Sequence, residues 1–478
     1  MNRAKLWLPI CVIAFWLPWF IESVEAQSRR PNFVIVMVDD LRWDELSCTG
    51  HPFVHTPNID RLAREGIRFR NAFCTTVLCS PARASVLTGQ YLHRHGIVDN
   101  TDRSVASHRL VTFPLRLQQA GYDTGFIGKW HMGNDASPRP GFSHWICLAG
   151  QGTSHNPLLN ENGSQVSHQG YTTDVLSLKA VEFVQSNRAA PFCLIVAHKA
   201  LHPETVQFAD GSLSDPSAAK FIPADRHRDL YRDAAIPRRL NVVDSLLGKP
   251  ALRQPISGLV PLSRETGTND DTVRDRLRML AAVEEGLGQL LGALEQIGQL
   301  DNTVVIFTSD HGYWYGEHGL SVERRLAYEE GIRIPLLARY PKEFPAGLLV
   351  DEMVLGIDLA PTVLELAGVS TKLDADGTSL LPLAQPIQPG AWRKSFLIEY
   401  SSDTVFPRMH KLGYRAIRTE SWKYVRYLEQ IDMDELYNLK ADPYEMNNLA
   451  MSTDAQTTLK QLQDELRRLE STRNLARE

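Results

Sequence analysis

A thiol, a proline and an arginine stand close together in the run CSPAR, residues 79–83. Pro81 suits the first position of a helix and Gly89 suits the residue just past its end, so the run predicts a short helix between them. Cys79 then lies at the positive end of the helix dipole, and Arg83, four residues on, shares its face. A thiol beside free N–H groups and a permanent cation predicts a reactive site that binds sulfate or phosphate. The alternative is a cysteine that merely packs, but packing does not require proline and arginine at these offsets.

Acidic side chains follow two continuous apolar runs. Asp39 and Asp40 come directly after one run, and Asp310 and His311 come after another. Open α/β sheets bind ligands at the carboxyl ends of their strands, so these side chains are expected to converge. Three carboxylates around one point repel one another unless a cation lies between them. The pattern therefore predicts a hard divalent metal ion.

Basic side chains follow two further apolar runs. Lys129 and His131 come after residues 124–128 and alternate along an extended segment, so both face the same side. His198 comes directly after residues 191–197. A lone histidine is more often structural than catalytic, but its place at the end of a strand favours a catalytic role for His198.

Apolar runs alternate with helical patterns along the chain, which indicates an α/β architecture with a largely parallel central sheet. The segment from about Glu204 to Asp270 has weak periodicity, and we expect it to form long excursions over the active-site face. Beyond about Pro386 the runs become shorter and alternating. The clearest further expectations are helices after Pro57 and over Leu280–Ile297, antiparallel strands over 414–418 and 422–427, and a terminal helix through Leu459 and Leu469.

The composition is that of a soluble globular protein, with 43% hydrophobic and 22% charged residues in 478. A net charge of −5 indicates no nucleic-acid partner. Five cysteines follow residue 26, and four would remain if Cys79 is modified. Four cysteines allow three pairings, and the sequence chooses neither among these nor between disulfides and free thiols.

The first 26 residues have the pattern of a secretory signal peptide. Arg3 and Lys5 precede an apolar stretch over 6–20, and small residues flank a cleavage position after Ala26. A retained anchor is the alternative, but the stretch is shorter than the ~20 residues that span a bilayer. We therefore expect an exported protein, periplasmic or secreted, with no membrane span once the leader is removed.

The run around Cys79 resembles the signature of the type I sulfatases, in which the cysteine of Cys-x-Pro-x-Arg is oxidised to formylglycine. The resemblance implies a maturation enzyme as partner and an alkaline-phosphatase-like α/β/α sandwich. That fold has a large mixed, mainly parallel sheet and a small C-terminal α+β subdomain with an antiparallel sheet. The stretches 198–202 and 315–320 are similar to bacterial N-acetylglucosamine-6-sulfatases and polysaccharide sulfatases. We expect a signal peptide over 1–26, a catalytic domain over 27–385 and a C-terminal subdomain over 386–478.

The resemblance also implies site residues. In that family a hydrated aldehyde attacks sulfur, and its second hydroxyl later loses a proton so that sulfate is expelled. The implied metal ligands are Asp39, Asp40, Asp310, His311 and the modified Cys79. The ion is calcium by resemblance, and magnesium and manganese stay open because imidazole is an unusual calcium ligand. The implied catalytic residues are Cys79, Arg83, Lys129, His131, His198 and Arg324.

The implied roles differ among these residues. Lys129 and His131 resemble the pair that steadies formylglycine, with the histidine helping to deprotonate the hydrate. His198 resembles the residue that protonates the leaving oxygen. His202 serves substrate or structure, and His318 is expected in a loop near the substrate.

Arg324 departs from the family pattern. The family places lysine four residues before the tyrosine of a Tyr-Glu-Glu run, and here Tyr328 is preceded at that offset by arginine. Arginine grips sulfate but does not release a proton at working pH, so acid assistance would fall to His198. Some sulfatases that cleave N-sulfates resemble this chain in having arginine there.

The sequence thus predicts a sulfatase that hydrolyses sulfate esters, on a carbohydrate or polysaccharide. One alternative is a phosphonate or phosphate monoester hydrolase with the same nucleophile, because sulfate and phosphate are nearly isosteric. Another is a protein that binds sulfated glycans and has lost catalysis, which Arg324 motivates.

Overall fold

The computed structural model describes residues 30–214, 219–243, 246–322, 325–370, 373–385, 390–401 and 406–471. The predicted leader and Arg324 lie outside these residues. Within the described part of the chain, no helix combines the length and apolar character that crossing a bilayer requires.

The described residues form two sheets and the helices that cover them. The strands are β1 Asn32–Val38, β2 Ile67–Phe73, β3 Asp123–Lys129, β4 His144–Leu148, β5 Leu158–Glu161, β6 Ser164–Ser167, β7 Phe192–His198, β8 Thr303–Ser309, β9 Leu336–Arg339, β10 Leu348–Leu355, β11 Ser395–Tyr400, β12 Tyr414–Thr419, β13 Trp422–Tyr427 and β14 Glu435–Asn438. The α-helices are α1 Pro57–Glu65, α2 Cys79–Thr88, α3 Leu92–His95, α4 Ser104–Ser107, α5 Phe113–Gln119, α6 Thr172–Gln185, α7 Asp270–Gln296, α8 Glu329–Ile332, α9 Leu359–Leu366 and α10 Gln456–Ser471.

The large sheet has the strand order β10-β2-β9-β8-β1-β7-β3-β4-β5-β6. The five central strands from β8 to β4 run parallel, and antiparallel pairs occur where β9, β5 and β6 join. The small sheet, β11 to β14, is antiparallel throughout. The predicted sandwich with a large mixed sheet and a small C-terminal sheet is confirmed. The domain boundary at 385/386 stays a prediction.

Both faces of the large sheet are covered because β1 carries apolar side chains on each side. Phe33, Ile35 and Met37 pack in the core that α2, α5, α9 and the small sheet cover. Val34 and Val36 point to the opposite core, under α1, α6 and α7. This explains the continuous apolar run, since alternate residues of a strand face opposite sides.

One glycine allows β3 to bring its last residue close to β7. A Cβ atom on Gly128 would lie 2.0 Å from the carbonyl oxygen of Ala197, and the φ angle of Gly128 is +124°. Only glycine fits this close approach. Lys129, the next residue, is thereby placed fully buried beside the neighbouring strands.

Candidate active site and metal centre

The predicted site residues converge at the carboxyl end of the large sheet. Val38, the last residue of β1, is in register with His198 of β7 and Ser309 of β8. Parallel strands end at the same edge of a sheet, so Asp39 and Asp310, which follow β1 and β8, come close together.

Cys79 is the first residue of α2, two positions earlier than the sequence predicted, and Pro81 is therefore the third helical residue rather than the first. The helix ends before Gly89, whose φ angle of +69° is left-handed, as expected. Leu78, the N-cap residue, makes no side-chain capping hydrogen bond. The buried Cys79 thus lies at the positive end of a helix of ten residues.

Four of the five predicted metal ligands form one buried cluster. Asp39, Asp40, Cys79 and His311 each bring a ligand atom within 4.8 Å of the others. The Sγ atom of Cys79 lies 3.3 Å from Nε2 of His311 and 3.7 Å from Oδ1 of Asp39. Oδ1 of Asp40 lies 3.4 Å from Nδ1 of His311.

Asp310, the fifth predicted ligand, lies beside the cluster and is held by other groups. Its Oδ1 accepts hydrogen bonds from the backbone N–H groups of Asp40 at 3.1 Å and His311 at 2.9 Å. Its Oδ2 accepts from Nε of Arg83 at 3.1 Å. Asp310 therefore orients Arg83 and the turn after β1, and its place as a ligand stays a prediction.

Asp39 is the electrostatic centre of the site. Nζ of Lys129 donates to Oδ2 of Asp39, and Nη2 of Arg83 lies 3.4 Å from the same oxygen. Burial alone would raise the pKa of Asp39, but the charges of Lys129 and Arg83 hold it well below its usual value. Asp39 is therefore ionised at neutral pH, as a metal ligand must be.

His131 lies two residues beyond β3, with its Nε2 2.7 Å from Oε1 of Gln207. Its Nδ1 is buried and has no hydrogen-bond partner among the described residues. Burial and the charge of Lys129 hold the pKa of His131 well below its usual value. A neutral imidazole with an open ring nitrogen is suited to accept a proton.

His198 is buried at the end of β7, and its Nδ1 has no hydrogen-bond partner in the described chain. Burial lowers the pKa of His198 to about 4, against the opposing charge of Asp174. The imidazole is therefore neutral at neutral pH before substrate binds. An anionic sulfate beside it would raise its pKa and let it donate a proton.

The profile of the sulfatase family matches residues 31–369. The chain belongs to the sulfatase family. Residues 316–472 also match the profile described as N-sulphoglucosamine sulphohydrolase, C-terminal. This sulfatase is thus a sulfuric ester hydrolase, which agrees with the interpretation of the CSPAR run.

Three similar proteins place this sulfatase among enzymes of its fold. The N-acetylglucosamine-6-O-sulfatase of Bacteroides thetaiotaomicron is 33% identical, over 94% of this chain and 87% of its own length. A solved structure described as a complex with its substrate D-glucosamine-2-N,6-O-disulfate is 32% identical, with a TM-score of 0.80 over 93% of this chain and 98% of its own. The phosphonate monoester hydrolase of Agrobacterium radiobacter is 23% identical, with a TM-score of 0.71 over 93% and 96%, and shows the fold alone.

The buried cluster of this sulfatase fits the divalent metal on which its family depends. Burial would lower the pKa of His311, but the charges of Asp310, Cys79 and Asp40 raise it to about 10. The acidic groups around His311 thus favour a positive charge in the cluster, and without a metal ion the protonated His311 ring carries that charge. A cation bound to Asp39 and Asp40 would supply the charge instead, leaving the His311 nitrogen as a ligand.

The sequence did not identify several residues around the pocket that opens on Cys79. The lining includes His202 and, among the residues not predicted, Asn100, Gln151, Gln207 and Arg325. Three of these four are neutral amides without a motif, so their types gave no indication of a site. Gln207 comes from the excursion predicted over the active-site face, and its position in that excursion was the available clue.

Arg324 lies outside the described residues, and its role at the sulfate stays a prediction. Its neighbour Arg325 is buried and lines the Cys79 pocket, with its guanidinium carbon 4.9 Å from the ring centroid of Phe406. Of this stretch, the described residues Val322 and Arg325 both line the pocket that opens on Cys79.

His318 is held by contacts in the interior of the protein. It is fully buried, 4.4 Å from the ring of Tyr328, and its Nε2 lies 3.3 Å from the amide nitrogen of Asn241. These contacts hold it in the interior, and it does not line the pocket that opens on Cys79; a position near the substrate stays a prediction. The five described cysteines are free thiols, with no disulfide among them.

Proposed function

We propose that this sulfatase hydrolyses sulfate esters of carbohydrates through a formylglycine hydrate derived from Cys79. The observation that carries the proposal is the position of Cys79, which is at once the first residue of a helix, a member of the metal cluster and part of a pocket lining. Helix N–H groups and the cation Arg83 suit the negative charge of sulfate. The cluster suits a divalent cation that would polarise the sulfate oxygens.

A glucosamine-type sugar is the substrate that the comparisons favour. One relative is named an N-acetylglucosamine-6-O-sulfatase, and one similar structure is described with a sulfated glucosamine as its substrate. The amides of Asn100 and Gln151 on the pocket lining provide donors and acceptors of the kind that bind sugar hydroxyls. We infer that the enzyme removes a 6-sulfate from glucosamine or N-acetylglucosamine.

The remaining parts of the proposal come from the sequence. Calcium is the proposed ion, with Asp39, Asp40, Asp310, His311 and the modified Cys79 as ligands, and magnesium or manganese as alternatives. Lys129 and His131 stabilise formylglycine, and His131 helps to deprotonate its hydrate. Arg324 binds sulfate. A maturation enzyme oxidises Cys79, and the leader over 1–26 directs export of the catalytic domain (27–385) and the C-terminal subdomain (386–478).

The function is tested with protein purified from its native host. We expect sulfate release from N-acetylglucosamine 6-sulfate and from 4-nitrophenyl sulfate. 4-Nitrophenyl phosphate and a phosphonate monoester serve as matched substrates, and faster turnover of these would favour the monoester hydrolase instead. Binding of the sulfated sugar without hydrolysis of any ester would favour the glycan-binding protein.

His198 is predicted to act as the acid for poor leaving groups. His198→Ala should lower kcat on N-acetylglucosamine 6-sulfate by about 10² to 10⁴-fold, the usual contribution of general acid catalysis. 4-Nitrophenyl sulfate has a good leaving group, so its loss should be far smaller. Because the free enzyme must gain a proton on a histidine of pKa about 4, the ratio of kcat/KM for sugar sulfate over 4-nitrophenyl sulfate should fall as pH rises above that value. Equal losses on both substrates would remove His198 from this role.

A further inference from the structure

The side-chain amide of Gln207 has an orientation that its surroundings fix. Its Nε2 donates a hydrogen bond to the carbonyl oxygen of Gly211 at 3.0 Å. If the amide were reversed, two oxygens would face each other at this distance, with no hydrogen between them. Oε1 of Gln207 must therefore point the other way, toward His131.

This orientation decides which nitrogen of His131 carries hydrogen. Oε1 of Gln207 lies 2.7 Å from Nε2 of His131 and accepts from Nε2 of Gln151 at 2.9 Å. A carbonyl oxygen only accepts, so Nε2 of His131 must be a donor. In a neutral ring the hydrogen is then on Nε2, and the lone pair is on Nδ1, which has no partner among the described residues.

The surroundings of His131 also keep the ring neutral. It is buried, and the cationic groups Lys129 and Arg83 oppose a second positive charge, while Asp39 favours one. Lys129 and Arg83 both contact Asp39. Their positive charges reduce the stabilisation that the Asp39 carboxylate would give to a protonated His131 ring. With one proton on the ring, the hydrogen bond to Gln207 places that proton on Nε2 and leaves the lone pair on Nδ1.

The backbone holds Gln207 firmly in front of His131. Gln207 forms an isolated β-bridge with Leu213, and the carbonyl oxygen of Ala209 accepts from the N–H of Asp102 at 2.7 Å. A residue fixed by its own backbone in this way can orient a neighbouring side chain.

We propose that Gln207 is a positioning residue, which fixes the Nε2–H tautomer of His131 so that Nδ1 accepts the proton that expels sulfate. The proposal deepens the proposed function and rests on it. In this step Nδ1 takes the proton of the free hydroxyl on residue 79, and the O–H electron pair becomes the second bond of the aldehyde carbonyl. The C–O bond between residue 79 and sulfate breaks, and sulfate leaves with the electron pair of this C–O bond.

The tautomer is tested by nitrogen NMR on protein labelled with nitrogen-15 histidine, which does not require turnover. The His131 signals are assigned by their loss in His131→Asn. In the wild type we expect one protonated ring nitrogen, Nε2, and one unprotonated nitrogen, Nδ1. In Gln207→Leu, which offers no acceptor oxygen, this pattern should be lost or reversed.

Kinetics test the consequence of the tautomer. Gln207→Leu should lower kcat on 4-nitrophenyl sulfate by about 10- to 100-fold, as residues that orient a functional histidine do. KM should fall in parallel and kcat/KM should change little, because only the step after release of 4-nitrophenol is slowed. Because the first half of the reaction does not use Nδ1, rapid mixing should show a burst of 4-nitrophenol and sulfate retained on residue 79. Gln185→Leu, the same change at an exposed glutamine whose amide contacts Gln296, is the control and should match the wild type.

The outcomes separate this proposal from the proposed function. An unchanged His131 tautomer in Gln207→Leu, or a kcat within about twofold of wild type, overturns the positioning role. A wild-type enzyme that releases no sulfate overturns the proposed function, while the tautomer result still stands on the spectrum. A loss of kcat in Gln207→Leu with no burst and an unchanged spectrum would mean that the side chain acts only through packing.

Discussion

Cys79→Ala is expected to abolish sulfate ester hydrolysis, with kcat reduced by about 10⁴-fold or more, the scale on which enzymes lose activity with their nucleophile. The variant keeps the helix, because alanine suits its first turn, but it can form no aldehyde. Mass spectrometry of the wild-type peptide that contains residue 79 should show the aldehyde. Release of sulfate and of 4-nitrophenol measures the activity.

Cys48→Ala is the matched control for this change. Cys48 is a half-buried free thiol whose pKa burial and the charge of Asp60 raise to about 12, so it is not a nucleophile at neutral pH. Its alanine variant should keep wild-type turnover. Full activity in Cys79→Ala, with or without the aldehyde in the wild type, would end the proposed mechanism.

Asp40→Asn is expected to remove the metal and to lower kcat by more than about 10³-fold, because the ion contributes several kcal/mol of charge stabilisation. This variant leaves the pair between Lys129 and Asp39 in place, so the fold around the cluster keeps its main charge contact. Elemental analysis should find about one equivalent of calcium or another hard divalent ion in the wild type and far less in the variant.

Asp351→Asn controls for the loss of one carboxylate. Asp351 is exposed and pairs with Arg70 at the surface, whereas the carboxylates of the metal cluster are buried. It should keep both metal and turnover. A wild-type enzyme that is fully active after exhaustive metal removal, or an Asp40→Asn variant with unchanged metal content, would contradict the metal assignment.

The residues on the strand ends could be predicted because their positions depend on short stretches of sequence. Asp39, Asp40 and His311 each lie within two residues of the end of a buried strand, and parallel strands bring such positions to one edge. A short stretch of sequence likewise predicted that Cys79 lies at the start of a helix. The predicted first residue of that helix was two positions too late, because Pro81 was given the first helical position. Proline is tolerated anywhere in the first turn, since no N–H there has an intrahelical partner.

The partners of these residues could not be predicted in the same way. Asp310 was expected among the metal ligands, but its contacts with Arg83 and two backbone N–H groups depend on how β8 meets a helix more than 200 residues earlier in the chain. His318 was expected near the substrate, and the packing of its loop against Tyr328 and Asn241 placed it in the interior.

By itself, the sequence determined which groups are available for chemistry: a cysteine at a helix start, carboxylates after buried strands and two basic side chains at the end of another, all of which are encoded within a few residues. The tertiary structure alone decided the state of each group. The low pKa of Asp39 comes from Lys129 and Arg83, and the tautomer of His131 comes from Gln207, 76 residues away in a segment with no motif. Such contacts depend on the path of a long loop, and hydrogen bonds are made only where that path brings donor and acceptor within about 3 Å.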